Sequence, residues 1–360
     1  MKIGVIGFFQ LRTMQYLTKY TDVLDDCGVE YDVIHWNRED DDIPPSFKGG
    51  HIVFNLKMVT EQPFYKKIVG FLRYGHFMRK TIRQNRYDKL IILTTQTAIP
   101  LFDFLLGKYR GKYVYGFYDM TKESKSKVYK KLVKKLLNSA AFVTMSSFGF
   151  LPLLGLRKSE RIIQAHNTQS PCADSGYQCL LSKKEPVRIT YWGIVRQLEF
   201  NKKLCDAFGN DKRYCISFHG NGYYMELQEY AEEKDYGNIH FTGRYERRDI
   251  PEFVESTDIL NCLYENDDEM KPAMQVKFYD AVKYRKPMLV HAGSYAADYG
   301  GEASGILSVE FSSNITNEVY EWYMSLQADR VWEDYRRYEK QIYTDDCKFK
   351  DMIANFVAGG

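Results

Sequence analysis

Lys277 and Asp280 stand three residues apart in KPAMQVKFYDAVKYRKPMLV (271–290), which reads as loop, helix, short turn and buried strand. That spacing puts both side chains on one face of the helix's first turns. A lysine near a helix N-terminus can meet a diphosphate that free backbone N–H groups also favour. A carboxylate one turn later can accept hydrogen bonds from the two hydroxyls of a ribose. Any amphipathic helix can carry Lys and Asp so placed, and the pair acquires meaning only from what surrounds it. His219 and His291 end strand-like runs and are read as satisfied or solvent-facing, with contact to phosphate or sugar as the alternative. The acidic groups Asp40–Asp41–Asp42 and Asp267–Asp268–Glu269 are read as solvated turns, and no metal site or required cofactor is expected. The opening GVIG lacks the GxGxxG pattern, which argues against a dinucleotide dehydrogenase.

The elements that must position these residues repeat one plan twice. In the first 160 residues MKIGVIGFF, EYDVIHW (30–36), HIVFNLK (51–57), DKLIILTT (88–95), KYVYGFYD (112–119) and AAFVTMSS (140–147) alternate with helical spacing, as between Leu11 and Cys27. Buried strands separated by helices predict a parallel sheet covered on both faces. A polar stretch, HNTQSPCADSGYQ (166–178), precedes a second series: VRITYWG (187–193), RYCISFHG (213–220), NIHFTG (238–243), DILNCLY (258–264) and PMLVHAG (287–293). The expected architecture is α/β, two doubly wound Rossmann-like domains facing a cleft. The first spans 1–165, a linker 166–186, and the second 187–335. A helical segment, 336–360, either crosses back to the first domain or stays on the second. His166–Asn167 is read as hinge structure.

The segment KFYDAVKYRKPMLV resembles the K-x-x-E … G-K/R-P-V stretch of GT-B glycosyltransferases of family 4, the retaining group that acts on polysaccharides and glycolipids. The likeness continues through YWGIVRQLEFNKKL (191–204), HGNGYY (219–224) and NIHFTGRYERRDIPEFVESTDIL (238–260), in order and over about 100 residues. It implies that Lys277 contacts donor phosphate and that Asp280, where Glu is usual, binds ribose. Gly193 and Gly220 would allow close backbone approach. Arg196 with Lys202 or Lys203 would neutralise the departing diphosphate, and the Gly243–Arg244–Tyr245 turn would lie near the base. Pro272 replaces the family's first Glu, a sugar contact, and Glu265 or Glu269 from YENDDEMK would take over. In the first half Gly7 ends a strand where a sugar would approach. Asp119 would position an acceptor hydroxyl or else cap the following helix.

Two basic stretches stand out. Between Phe64 and Lys89 eight Lys/Arg face only Asp88, interleaved with Phe71, Leu72, Phe77 and Ile82; between Lys122 and Lys135 seven lysines face Glu123. Such helices suit an anionic membrane surface, or are solvated faces. Net charge is only +3, which does not suggest a nucleic-acid partner. The sequence shows no export segment and no apolar run near the ~20 residues of a membrane span. Seven cysteines without a CxxC pair suggest reduced thiols. The expectation is a cytoplasmic glycosyltransferase at the inner face of the membrane, moving sugar from a nucleoside-diphosphate-sugar to a hydroxyl of a glycan or lipid-linked glycan. The alternatives are an acceptor-independent, epimerase-like sugar-nucleotide enzyme of the same fold and a non-catalytic binding subunit.

Overall fold

The apolar runs of the first half become parallel strands β1 (Lys2–Ile6), β2 (Glu30–Asn37), β3 (Gly50–Asn55), β4 (Lys89–Leu93), β5 (Tyr113–Phe117), β6 (Phe142–Met145) and β7 (Ile162–Gln164). Those of the second half become β8 (Val187–Val195), β9 (Tyr214–Gly222), β10 (Ile239–Gly243), β11 (Ile259–Cys262), β12 (Met288–His291) and β13 (Ile306–Val309). A computed structural model describes residues 1–14, 16–39, 45–58, 62–120, 125–168 and 176–359. Packing divides the chain into two units, Met1–Asn167 with Thr344–Gly360, and Thr168–Tyr343. Asp40–Asp42, Lys122, Glu123 and Cys172 lie outside the described residues.

In the first unit the strands are ordered β3-β2-β1-β4-β5-β6-β7. Its helices are α1 (Leu17–Asp26), α2 (Phe64–Asn85), α3 (Thr95–Ala98), α4 (Phe102–Leu106), α5 (Lys127–Ser139) and α6 (Phe150–Leu154). Parallel strands joined by right-handed crossovers put α1 on one face and α2, α4 and α5 on the other. Contacts agree: Arg79 of α2 donates to Asp103 of α4, and Gly75 abuts Pro100. On the α1 face, Lys19 pairs with Asp346 at 2.8 Å and Tyr20 meets the edge of Phe349 at 5.0 Å, which anchors Thr344–Gly360 there. His166 is fully buried in this unit, 2.9 Å from Asp345.

The second unit carries β10-β9-β8-β11-β12-β13. This is the doubly wound order in which connections reverse direction between the first and fourth strands, opening a crevice beyond their carboxyl ends. The reversal falls between β8 and β11. Around the sheet lie α7 (Leu198–Phe208), α8 (Tyr224–Glu233), α9 (Ile250–Glu255), α10 (Val276–Tyr284), α11 (Tyr295–Gly300), α12 (Ile315–Ser325) and the start of α13 (Ala328–Ala358). α12 and α13 are separated only by Leu326–Gln327. β7 and β13, edge strands of three and four residues, were too short to stand out as periodic runs.

Candidate functional site

β8 presents Tyr191 and Trp192, both buried, just before Gly193. Gly193 pairs with Gly220 of β9, at φ +135° and +154° respectively. A Cβ on Gly220 would stand 1.7 Å from the Gly193 carbonyl oxygen. The two strand ends can therefore lie this close only as bare backbone.

Lys277 enters this place from α10, at the second helical position. Its side chain is 6% exposed, and Nζ would touch a Cβ on Gly193 at 3.1 Å. Nζ donates to the Tyr264 hydroxyl, just past β11, at 2.6 Å. It also lies 3.8 Å from the ring centroid of Tyr191 and 5.2 Å from that of Tyr264. The ammonium therefore stands at the reversal point between β8 and β11. Among the described residues no carboxylate comes within 4.0 Å of it. Taking an ion out of water costs several kcal/mol; a desolvated ring face returns about 2 kcal/mol. The Tyr264 hydroxyl stays neutral, because burial drives its pKa well above the ordinary value and neighbouring Tyr191 adds to this. A cation whose contacting partners are neutral hydroxyl and ring groups is left able to attract an anion. The α10 N-terminus adds to this field, since its N-cap Gln275 makes no side-chain cap and leaves helix N–H groups without that partner.

Asp280 lies one turn further along α10. One carboxylate oxygen accepts from the Trp192 indole N–H at 2.9 Å, and the other has no partner among the described residues. Burial raises its pKa, against the hydrogen bond from Trp192 and the charge of Lys277. Tyr245 is near enough to feel that carboxylate: burial first, then Asp280, pushes its phenol up to about 12. Tyr245 in turn meets the edge of Phe253 at 5.3 Å. Phe253 stacks on His219 at 3.8 Å. His219 Nδ1 is 2.7 Å from the Thr242 hydroxyl, while its buried Nε2 has no partner among the described residues. Burial lowers the imidazole pKa, favouring the neutral ring.

Gln197, at the N-cap of α7 in a left-handed conformation (φ +55°), ties the β8 and β11 loops together. Its amide accepts from Glu265 N at 2.9 Å and donates to Asp267 at 2.8 Å. Asp267 then accepts from the backbone of Glu269 and Met270. The acidic turn is thus a capped loop: Glu265 is exposed and Glu269 half-buried.

The other expected residues divide. Arg196 is exposed and close enough to Tyr264 for its charge to act on that phenol. Lys202 is engaged elsewhere, with Glu199 at 2.9 Å and over the Tyr230 ring of α8 at 5.0 Å, while Lys203 is exposed. Gly243, at φ +74°, ends β10, followed by exposed Arg244. In the first unit Gly7 is closed in: a Cβ there would meet Met14 Sδ at 2.1 Å, and Tyr74 donates to its carbonyl. Asp119 is exposed past β5, and α5 takes Ser126 as its cap. His291 accepts at Nδ1 from Asn266 at 2.8 Å.

Sequence reasoning passed over Tyr191, Trp192, Tyr264 and Gln197 as individual site residues. Y-W-G and L-Y-E were the available signal, but aromatics at the ends of apolar runs read as core.

No family model matches the sequence, and no curated protein sequence matches it. Solved structures do. Sucrose-phosphate synthase from Thermosynechococcus elongatus superposes with a TM-score of 0.73 at 10% identity, over 100% of both chains. HepE from Anabaena, solved in complex with UDP and glucose, gives 0.67 at 15% identity, again over 100% of both. A UDP-GlcNAc 2-epimerase from Neisseria meningitidis bound to UDP-GlcNAc gives 0.53 at 9%, covering 96% of this chain and 100% of that one. The chain therefore has the GT-B fold, two Rossmann-like units with parallel sheets of seven and six strands.

Proposed function

We propose that this chain is a glycosyltransferase that binds a nucleoside-diphosphate-sugar on its second unit and transfers the sugar to a hydroxyl of a glycan or lipid-linked glycan, with retention, as in family 4. The observation that carries the reading is the buried Lys277 ammonium, held by two tyrosines beside Gly193 with no carboxylate within 4.0 Å among the described residues. A diphosphate supplies the missing negative charge. The donor diphosphate lies along Gly193 and the α10 N-terminus, and Asp280, oriented by Trp192, accepts from the ribose hydroxyls.

Charge grows on the β-phosphate as the glycosidic bond breaks. Lys277, the exposed Arg196 and the helix N–H groups stabilise that charge most in the transition state, and this is where rate is gained. The leaving diphosphate needs no proton from a residue here: as the new glycosidic bond forms, the acceptor hydroxyl gives its proton to the departing β-phosphate oxygen. Glu269, on the loop fixed by Gln197, faces the hexose, and Gly243–Arg244–Tyr245 the base. Asp119 and Gly7 belong to the acceptor side.

The fold is shared with a sugar-nucleotide epimerase, which gives an acceptor-independent reaction a specific footing. Screening UDP-, GDP- and ADP-sugars with and without glycan acceptors, and resolving the products, tests the proposal. Release of nucleoside diphosphate together with a lengthened glycan supports it. A changed sugar nucleotide formed without acceptor replaces it with the epimerase reading, and the absence of turnover with any donor leaves a binding subunit.

A further inference from the structure

α2 carries two apolar stripes, and only one of them is used by the fold. Gly70, Tyr74, Gly75, Met78, Thr81 and Ile82 are buried against the sheet. On another side of the helix Phe64, Tyr65, Ile68, Val69 and Leu72 are 78%, 63%, 43%, 45% and 64% exposed. Tyr65, Ile68, Val69 and Leu72 recur at three- and four-residue intervals, one continuous band over the first turns. Isolated apolar side chains on a surface need no explanation, but five adjoining ones do.

The charge around the band selects its occupant. α2 has no acidic residue. Lys66, Arg73 and Lys80 have no acidic partner among the described residues, and Arg83 lies over the Phe104 ring. α5, in the same helical layer, is also free of acid and exposes Lys127, Lys131, Lys135 and Val128. A second copy of the chain, docked by two-fold symmetry, would bring the same cations together. A nucleic acid would satisfy the charges and leave five apolar side chains without a partner.

We propose that α2 lies in the interface of an anionic lipid bilayer, inserting Phe64, Tyr65, Ile68, Val69 and Leu72 between acyl chains while Lys66, Arg73 and Lys80 meet the headgroups. An in-plane helix combining a buried apolar face with flanking cations binds through both terms together. The test of this proposal needs no donor, so either reading can fail alone.

The experiment is flotation of the full chain with phosphatidylcholine vesicles and with equimolar phosphatidylcholine–phosphatidylglycerol vesicles. The wild type rises with the anionic vesicles and stays down with the neutral ones. The doubly substituted Ile68→Glu, Leu72→Glu chain, altered only at exposed positions, loses at least tenfold in bound fraction with an unchanged thermal transition. Each of Lys66→Ser, Arg73→Ser and Lys80→Ser weakens binding roughly fivefold and flattens its salt dependence. Leu72→Trp keeps binding and shows a blue-shifted emission on anionic vesicles. Failure of the wild type to float, flotation of the double glutamate variant at wild-type level, or self-association abolished by that variant overturns the proposal.

Discussion

The two units have the same kind of sheet but finish their strands differently. In the first, the end of β1 is filled: Met14 covers Gly7, Tyr74 takes its carbonyl, and Tyr118 joins Tyr20 and Thr144 in a buried hydroxyl cluster after β5. These groups are neutral and satisfy one another. In the second, Gly193 and Gly220 pair as bare backbone near the end of β8, and Lys277 brings a positive charge with no carboxylate within 4.0 Å among the described residues. A shared topology therefore says where a ligand can sit, and the side chains at the strand ends set which charge a ligand there would meet.

Breaking the backbone approach should have the largest effect on stability. Gly220→Ala forces a Cβ into the Gly193 carbonyl and should destabilise the second unit by about 3 kcal/mol. Gly111→Ala in the first unit shares a positive φ but meets nothing within 4 Å, and should cost about 1 kcal/mol. Thermal unfolding of the two variants gives the contrast; equal losses would show that the close approach in the second unit carries no special constraint.

Next comes Trp192→Phe, which keeps the buried ring but removes the indole N–H from Asp280. Loss of a hydrogen bond to a charged group is worth about 1.5 kcal/mol, or roughly tenfold in donor affinity. Wild-type affinity for UDP- or GDP-sugars in this variant would remove Asp280's orientation from the account.

A pH-dependent effect belongs to the first unit, where two histidines on neighbouring strands share a half-buried contact. His35 and His51 approach within 2.7 Å through their Nε2 atoms, and burial, with His51's charge second, pushes His35 down to about 4 from 6.5. The unfolded chain then binds the proton more readily than the folded one, so stability is full above about pH 6.5 and falls as acidification proceeds toward pH 4. His35→Phe should flatten that slope, as followed by denaturant unfolding at several pH values; an unchanged slope would remove this pair from the acid response.

Much of this was legible in the residues. The β-α alternation follows from buried apolar runs whose length and spacing leave few alternatives, and Lys277 and Asp280 stood out because the segment around them resembles the K-x-x-E … G-K/R-P-V stretch; their spacing alone says little. The cage around the lysine was not legible. Tyr191 and Tyr264 are 73 residues apart, and their meeting depends on β8 and β11 becoming neighbours. Nor could spacing separate Lys202 from Lys203: adjacent on one helix, they differ because Glu199 and Tyr230 capture only the first.

The central claim is that Lys277 is an ammonium kept for a diphosphate, and Lys277→Met tests it with near-constant side-chain volume. Calorimetry should show the wild type binding UDP, GDP or ADP far more tightly than the matching nucleoside, and the variant binding both alike, at least a hundredfold weaker for the diphosphate, while unfolding within a few degrees of the wild type because removing a buried charge offsets the lost contacts to Tyr264 and Tyr191. A variant that still prefers the diphosphate, or that unfolds early with its binding intact, would contradict the account.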